Sequence, residues 1–133
     1  VLLNSGSDPI LFTIPGNHDL ARPEDYDNPV AEVIRDWWTK PKARGLFWAK
    51  DKNYYPYVCG AFGNYTNWIR KIEDHPFIRT APALAGLLPG DTSVSLKLDQ
   101  ISVGFVGLNS AFLQLTGDDY EGKLDLNVQQ LLA

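Results

Sequence analysis

Cysteine and methionine are almost missing from this chain: its 133 residues include one cysteine, Cys59, and no methionine. A single thiol excludes an internal disulfide and cannot form a zinc site that needs several cysteines. Cys59 lies among apolar and aromatic neighbours. We therefore expect it to be a buried small hydrophobic residue without a reactive role.

Long apolar runs and excess positive charge are also lacking. No segment approaches the roughly 20 apolar residues of a membrane-spanning helix, so we expect no membrane partner. No signal peptide is visible, but this absence carries no information in a chain expected to be an internal fragment, so the location stays unknown, with the cytoplasm favoured. The net charge is -4, from 12 basic and 16 acidic residues. This balance argues against nonspecific binding to nucleic acid or to an anionic membrane as the main activity.

The composition is nevertheless that of a globular protein, with 44% hydrophobic and 12% aromatic residues. The chain begins at Val1, and its first six residues look like the end of a helix that runs into a loop. We therefore expect an internal fragment, in which residues 1–133 form a single partial domain.

The segment with the strongest functional signal follows a short apolar run. Residues 10–14 are mostly apolar and bounded by prolines, which predicts a buried strand. After Pro15 come a glycine, an amide, an imidazole and a carboxylate: Gly16, Asn17, His18 and Asp19. Polar groups placed directly after a strand are typical of a functional site, although each of these residues alone is also an ordinary turn or loop residue.

These four residues resemble the Gly-Asn-His-Asp/Glu signature of the calcineurin-like metallophosphoesterases. The resemblance implies hydrolysis of a phosphomonoester or phosphodiester with two divalent cations, which could be Mn, Fe, Zn or Mg. It implies that Asn17 is a metal ligand, and an amide oxygen suits that role because it holds a cation without adding negative charge. His18 and Asp19 are the implied catalytic residues: His18 would stabilise charge on the phosphoryl group, and Asp19 would hold its other ring nitrogen.

The implied fold is α/β: a partial metallophosphoesterase β-sandwich flanked by helices. The resemblance covers about residues 8–20 and 93–133. We expect the core pieces at about residues 1–20 and 93–133, with a large insertion or cap at about residues 38–89, after the motif loop. The other metal-binding motifs of the family, Asp-x-His, Gly-Asp-x-x-Asp and Gly-His-x-His, have no counterpart in this sequence. The second histidine, His75, precedes a proline in a polar segment, so we expect a surface turn there.

Two further interpretations stay open. A catalytically inactive regulatory or interaction module with the same fold would fit the missing metal-binding motifs. A nuclease-type phosphodiesterase would use the aromatic and basic residues interleaved over residues 46–57 to stack nucleobases, so a nucleic-acid partner is possible. We favour instead the interpretation that these rings form the core of the insertion. Substrate-binding residues stay unknown.

Hydrophobic periodicity predicts two helices inside the chain. One should span about residues 30–39, where a Lys-Pro pair ends it. The second should span residues 65–72 and pack Trp68, Ile69 and Ile72 inward.

Strict alternation predicts a β-hairpin, with strands at residues 93–98 and 101–109 joined by a turn at residues 99–100. The second strand is almost wholly apolar, so we expect it to be buried on both faces. It ends at Asn109 and Ser110, for which capping of the strand end is a better interpretation than substrate contact.

A last helix is expected within residues 122–132, with Asp125 or Asn127 at its N-cap. Four apolar residues at helical spacing should form its inward face: Leu124, Val128, Leu131 and Leu132.

Counting ligands gives a first testable prediction. A two-metal centre needs about four to six donors per ion, whereas the matched motif supplies one Asn. The isolated 133-residue polypeptide should bind Mn or Zn no better than a generic acidic protein and should not hydrolyse an aryl phosphodiester above background. Calorimetric titration with each metal, followed by the hydrolysis assay, checks this, and a stoichiometric micromolar site would contradict it.

Overall fold

The fold combines short β-strands with short helices. The computed structural model describes residues 10–22, 28–76, 78–80 and 82–132. Within them, the strands are β1 (Ile10–Leu11), β2 (Arg79–Thr80), β3 (Leu84–Ala85), β4 (Thr92–Leu98) and β5 (Ile101–Gly107). The helices are α1 (Pro29–Arg35), a 3-10 turn (Trp37–Thr39), α2 (Pro41–Trp48), α3 (Tyr54–Ala61), α4 (Gly63–Glu73) and α5 (Val128–Leu132). The expected α/β class is confirmed at the level of a mixed fold with two small sheets.

The predicted hairpin is confirmed. β4 and β5 pair antiparallel with Leu98 opposite Ile101, which leaves a two-residue turn. Asp99 in this turn has a φ of 53°, and Asp is among the few residue types that adopt this left-handed conformation readily. β3 adds a third strand on the other side of β4, so β5 is the outer strand of this sheet.

The prediction that the second hairpin strand is buried on both faces was wrong. Ile101, Phe105 and Val106 are all exposed. A strand is buried on both faces only when other layers cover both, and β5 lies at the edge of its sheet.

The first strand is shorter and less buried than its apolar sequence predicts. β1 has two residues, which pair in parallel with β2, and Ile10 and Ile14 are exposed. In the described residues, its pairs with β2 are Ile10 with Arg79 and Leu11 with Thr80.

The helix predicted at residues 30–39 is found as α1 followed by the 3-10 turn. The side chain of Asn28 caps α1 by accepting a hydrogen bond from the Val30 amide at 2.8 Å. Ile34 and Trp37 form its inward face and are buried. The Lys-Pro pair does end this segment, and Pro41 then opens α2 at the first helical position, where proline is tolerated.

The helix predicted at residues 65–72 is α4, but its inward face was wrong at one position. Tyr65 is buried whereas Trp68 is 44% exposed. The Tyr65 hydroxyl donates to the carbonyl of Thr13 at 3.1 Å, which fixes the rotation of the helix. Trp68 consequently packs against the outer side of Tyr65, with ring centroids 6.2 Å apart.

An aromatic cluster forms the centre of the core. The rings of Phe47 and Phe112 are stacked, 5.5 Å apart and 8° from parallel, and Trp37 and Trp48 both meet Phe112 edge to face. Such pairs each contribute about 0.5–1.5 kcal/mol beyond the burial of their area. The rings of the predicted insertion thus form core, as we favoured, and Phe47 and Trp48 are not exposed for base stacking. The insertion shares this core with the segment that follows β5.

The last helix has a different inward face from the predicted one. Asn127 caps it as expected: its side chain accepts from the Gln129 amide, and its own amide donates to the Gln130 side chain. The four residues expected to face inward are all exposed: Leu124, Val128, Leu131 and Leu132. The expectation failed because Gln130 turns inward in their place to satisfy buried polar groups, and it is 4% exposed.

These buried polar groups centre on the carboxylate of Asp91. It accepts hydrogen bonds from the amide of Asn109 at 2.7 Å, the amide of Leu88 at 2.9 Å and the side-chain nitrogen of Gln130 at 3.0 Å. Burial raises the pKa of Asp91, and these three donors oppose the rise. The cluster joins three segments: the turn before β4, the end of β5 and α5.

Replacing Asp91 with Asn should destabilise the fold by about 1–3 kcal/mol, because an amide N–H would then face one of the donors that now reach the carboxylate. Asp74→Asn is the matched control, since Asp74 is exposed at the end of α4. Urea unfolding of the two variants and the wild type checks this. Equal stability of all three proteins would show that the cluster contributes nothing.

Candidate functional site

The Gly-Asn-His-Asp segment forms one tight turn after β1. The amide of Asp19 donates to the carbonyl of Gly16 at 3.1 Å, and the amide of Gly16 donates back to the Asp19 carboxylate at 2.8 Å. These two bonds close the turn on itself. All four residues of the motif therefore lie within one turn.

The turn presents its functional groups to solvent. His18 and Asp19 are exposed and Asn17 is half-buried. The carboxylate of Asp19 is engaged with the backbone of Gly16, and its contact with the ring of His18 stays a prediction. In this arrangement an incoming group can reach the imidazole of His18 from solvent.

The segment before the turn is held tightly against the antiparallel sheet. A side-chain carbon at Gly107, the last residue of β5, would lie 2.7 Å from Ile14 and 3.2 Å from Phe12. The rings of Phe12 and Phe105 lie 6.1 Å apart. A side chain at position 107 would force Ile14 to shift, so glycine there favours the close approach that carries the chain past the end of β5 toward the motif.

A hydroxyl pair anchors the same segment to α4. Tyr65 contacts both the hydroxyl and the carbonyl oxygen of Thr13 at 3.1 Å. Burial raises the pKa of Tyr65, and the nearby negative charge of Asp19 adds to the rise. The motif turn therefore lies close to α4, while the segment before it contacts the sheet.

Asn109 caps the end of its strand, as predicted. Its side-chain oxygen accepts from the amide of Ala111 at 2.9 Å, and its side-chain nitrogen donates to the carbonyl of Pro89 at 2.9 Å. The residue is completely buried. These bonds occupy the side chain within the fold, which is the structural role we favoured over substrate contact.

Metal-ligating side chains are not clustered in the described part of the chain. It contains no group of three or more His, Cys, Asp or Glu residues that could hold a metal ion. Asn17 is the one expected ligand. His75 is exposed just after α4, which confirms the predicted surface turn before proline.

Sequence reasoning missed the residues that support the site. Hydrophobic periodicity predicts Tyr65 only as the start of a helix and predicts no inward position for Asp91 or Gln130. Gln130 carried a usable signal, because Asn127 followed by Gln three residues later is the spacing of a capping box. Cys59, expected to be buried, is only half-buried, and burial raises the pKa of its thiol, so it stays uncharged near pH 7.

Comparison with protein-family profiles, with curated proteins and with solved structures found no match to this chain. In the described ranges, no helix is both long and apolar enough to cross a membrane.

Gly90 offers a test of how the motif loop is supported. Its φ is +85°, and a side-chain carbon there would lie 2.1 Å from Cδ of the buried Pro15, which directly precedes the motif. Gly90→Ala should therefore destabilise the protein by about 2 kcal/mol or more.

Gly60→Ala is the matched control, because Gly60 lies in α3 with open space around its α-carbon. This change should stabilise the protein by about 0.5–1 kcal/mol through helix propensity. Urea unfolding measures both effects, and a neutral Gly90→Ala variant would refute the close contact with Pro15.

Proposed function

We propose that this chain carries part of the active site of a metal-dependent phosphoesterase, which hydrolyses phosphomonoesters or phosphodiesters. The proposal is supported most by the placement of Asn17, His18 and Asp19 in one closed, solvent-accessible turn, which residues 12–15 connect to the carboxyl end of β1. β1 pairs in parallel with β2, and ligands of α/β proteins commonly bind beyond the carboxyl ends of parallel strands. On this proposal, the two small sheets belong to a metallophosphoesterase β-sandwich flanked by helices.

The donor chemistry of the turn fits a role at the edge of a two-metal centre. The amide oxygen of Asn17 is a neutral hard ligand, and the residue is half-buried, so it can hold an ion with part of its surroundings already fixed. A complete centre needs more donors than Asn17, and the proposal assigns them to the parent protein of which this chain is expected to be a fragment. Two such cations, when bound, supply water activation and neutralisation of phosphoryl charge.

The imidazole of His18 performs the step that this chain itself contributes. Exposed at the turn, it donates a hydrogen bond to a phosphoryl oxygen and stabilises charge that develops during in-line attack. It can also give a proton to the leaving oxygen. Asp19 closes the turn through Gly16 and so fixes the backbone on which His18 is presented.

The proposal predicts that substitutions of His18 and Asn17 in the full-length protein have different effects. His18→Ala should lower turnover by about two to four orders of magnitude and leave metal content nearly unchanged, because the imidazole serves the transition state. Asn17→Ala should lower the occupancy of one metal site after dialysis. Steady-state hydrolysis of an aryl phosphate and elemental analysis measure these effects.

Two exposed residues of α4 and its end serve as matched controls: Asn64→Ala and His75→Ala should keep both activity and metal. Loss of metal from His18→Ala would contradict the role assigned to the imidazole. Full metal occupancy in Asn17→Ala would remove the assignment of that residue as a ligand. Absence of any His18-dependent hydrolysis would favour the inactive interaction module.

A further inference from the structure

A pocket that could bind a ligand is lined in part by residues 11–13, in the segment that leads to the motif. This pocket of about 490 Å³ opens between α3, α4, the end of β1 and residues 83–92. Its volume is within the range of about 300–1,000 Å³ in which proteins bind small molecules. None of residues 16–19 lines it, so it is separate from the motif turn.

The walls of the pocket are apolar and aromatic. Phe12, Tyr55 and Tyr65 contribute rings, and Ile69 and Leu87 contribute aliphatic surface. The Tyr55 hydroxyl donates to the carbonyl of Leu87, and the Tyr65 hydroxyl donates to Thr13. These hydroxyls are satisfied by the protein, so a ligand meets mainly ring and methyl surface.

The charge of the lining is negative. Glu73 and Asp91 line the pocket, and its described lining includes no Lys, Arg or His. Glu73 is exposed at the end of α4, while Asp91 is buried and hydrogen-bonded. Burial raises the pKa of Tyr55 to about 12, so this tyrosine stays neutral near pH 7. One basic group outside the lining approaches the Tyr55 ring: the ammonium of Lys50 lies 5.8 Å from its centroid.

Aromatic faces and carboxylates together favour one class of ligand. A ring quadrupole attracts a cation at its face, and a carboxylate at the opening adds Coulomb attraction. The same carboxylates disfavour an anion such as a phosphoester, which would also lose its hydration on entering an apolar pocket.

We propose that this pocket binds a small organic cation, with its apolar part against Phe12, Ile69 and Leu87 and its ammonium group near Glu73. The site is distinct from the motif turn, and the proposal holds whether or not the chain takes part in phosphoester hydrolysis.

Three soluble benzyl compounds of similar size test the charge preference: benzyltrimethylammonium, benzyl alcohol and phenylacetate. They are titrated at fixed ionic strength into the isotopically labelled protein, and methyl shifts of Ile69 and Leu87 report binding. Benzyltrimethylammonium should bind with a dissociation constant of about 1 mM, as expected for a ligand of this size. Benzyl alcohol should bind more weakly, and phenylacetate at least about tenfold more weakly than the cation.

Variants separate the pocket from general attraction to an acidic protein. Glu73→Gln should weaken benzyltrimethylammonium binding about three- to tenfold and leave benzyl alcohol unchanged. Glu32→Gln removes an exposed charge on α1, away from the pocket, and should change neither. Ala85→Trp, at an exposed lining position, should block all three compounds, whereas Ala49→Trp, exposed outside the lining, should not.

Selective loss of the cation in Glu73→Gln supports the proposal. Equal affinity for the cation and phenylacetate, an equal loss in Glu73→Gln and Glu32→Gln, or methyl shifts confined to other parts of the protein would each overturn it. Glu73 is exposed, so its conservative variant keeps the test decisive even if Ala85→Trp fails to fold.

Discussion

The carboxylate of Asp91 is the group on which the arrangement of the β-hairpin and its surroundings depends. It accepts hydrogen bonds from Leu88 in the preceding turn, from Asn109 at the end of β5 and from Gln130 in α5. A buried charge is costly unless such donors surround it, so each of the three segments is held where its donor is needed. The turn that contains Leu88 also carries Gly90, which packs against Pro15 ahead of the motif. A polar cluster remote in sequence thereby fixes the backbone from which the candidate site projects.

The aromatic core provides the second constraint. Four rings from the 3-10 turn, from α2 and from the loop after β5 pack as one cluster: Trp37, Phe47, Trp48 and Phe112. The helices of the predicted insertion are therefore integral to the fold described here. Their inner faces stabilise the segment after the hairpin, and their outer edge, through α3 and α4, forms one side of the pocket.

Local patterns predicted what local physics decides. The alternation in β4 and the short turn at Asp99 identified the hairpin, and Asn127 identified the start of α5. The errors arose where a distant partner decides which face is buried. Tyr65 turns inward to form a hydrogen bond with Thr13, which is 52 residues away in the sequence. Gln130 turns inward to form a hydrogen bond with Asp91, which is 39 residues away. Hydrophobic periodicity within a helix does not predict hydrogen bonds to residues so distant in the sequence.

For the candidate site too, some features could be predicted from the sequence and others could not. The motif residues and their placement after a strand were visible in the sequence, whereas the bond from Gly16 to the Asp19 carboxylate and the support by Gly90 required coordinates. The apolar sequence of β5 led to a wrong prediction of burial, because an apolar strand is buried only if another layer covers it.

Crystals of the full-length protein soaked in Mn²⁺ and measured at the manganese absorption edge would test the central assignment most directly. The account predicts two anomalous peaks about 3.5–4 Å apart, with the side-chain oxygen of Asn17 about 2.0–2.6 Å from one of them and the ring of His18 outside both coordination spheres. A metal ion coordinated by His18, or a metal pair remote from Asn17, would contradict it.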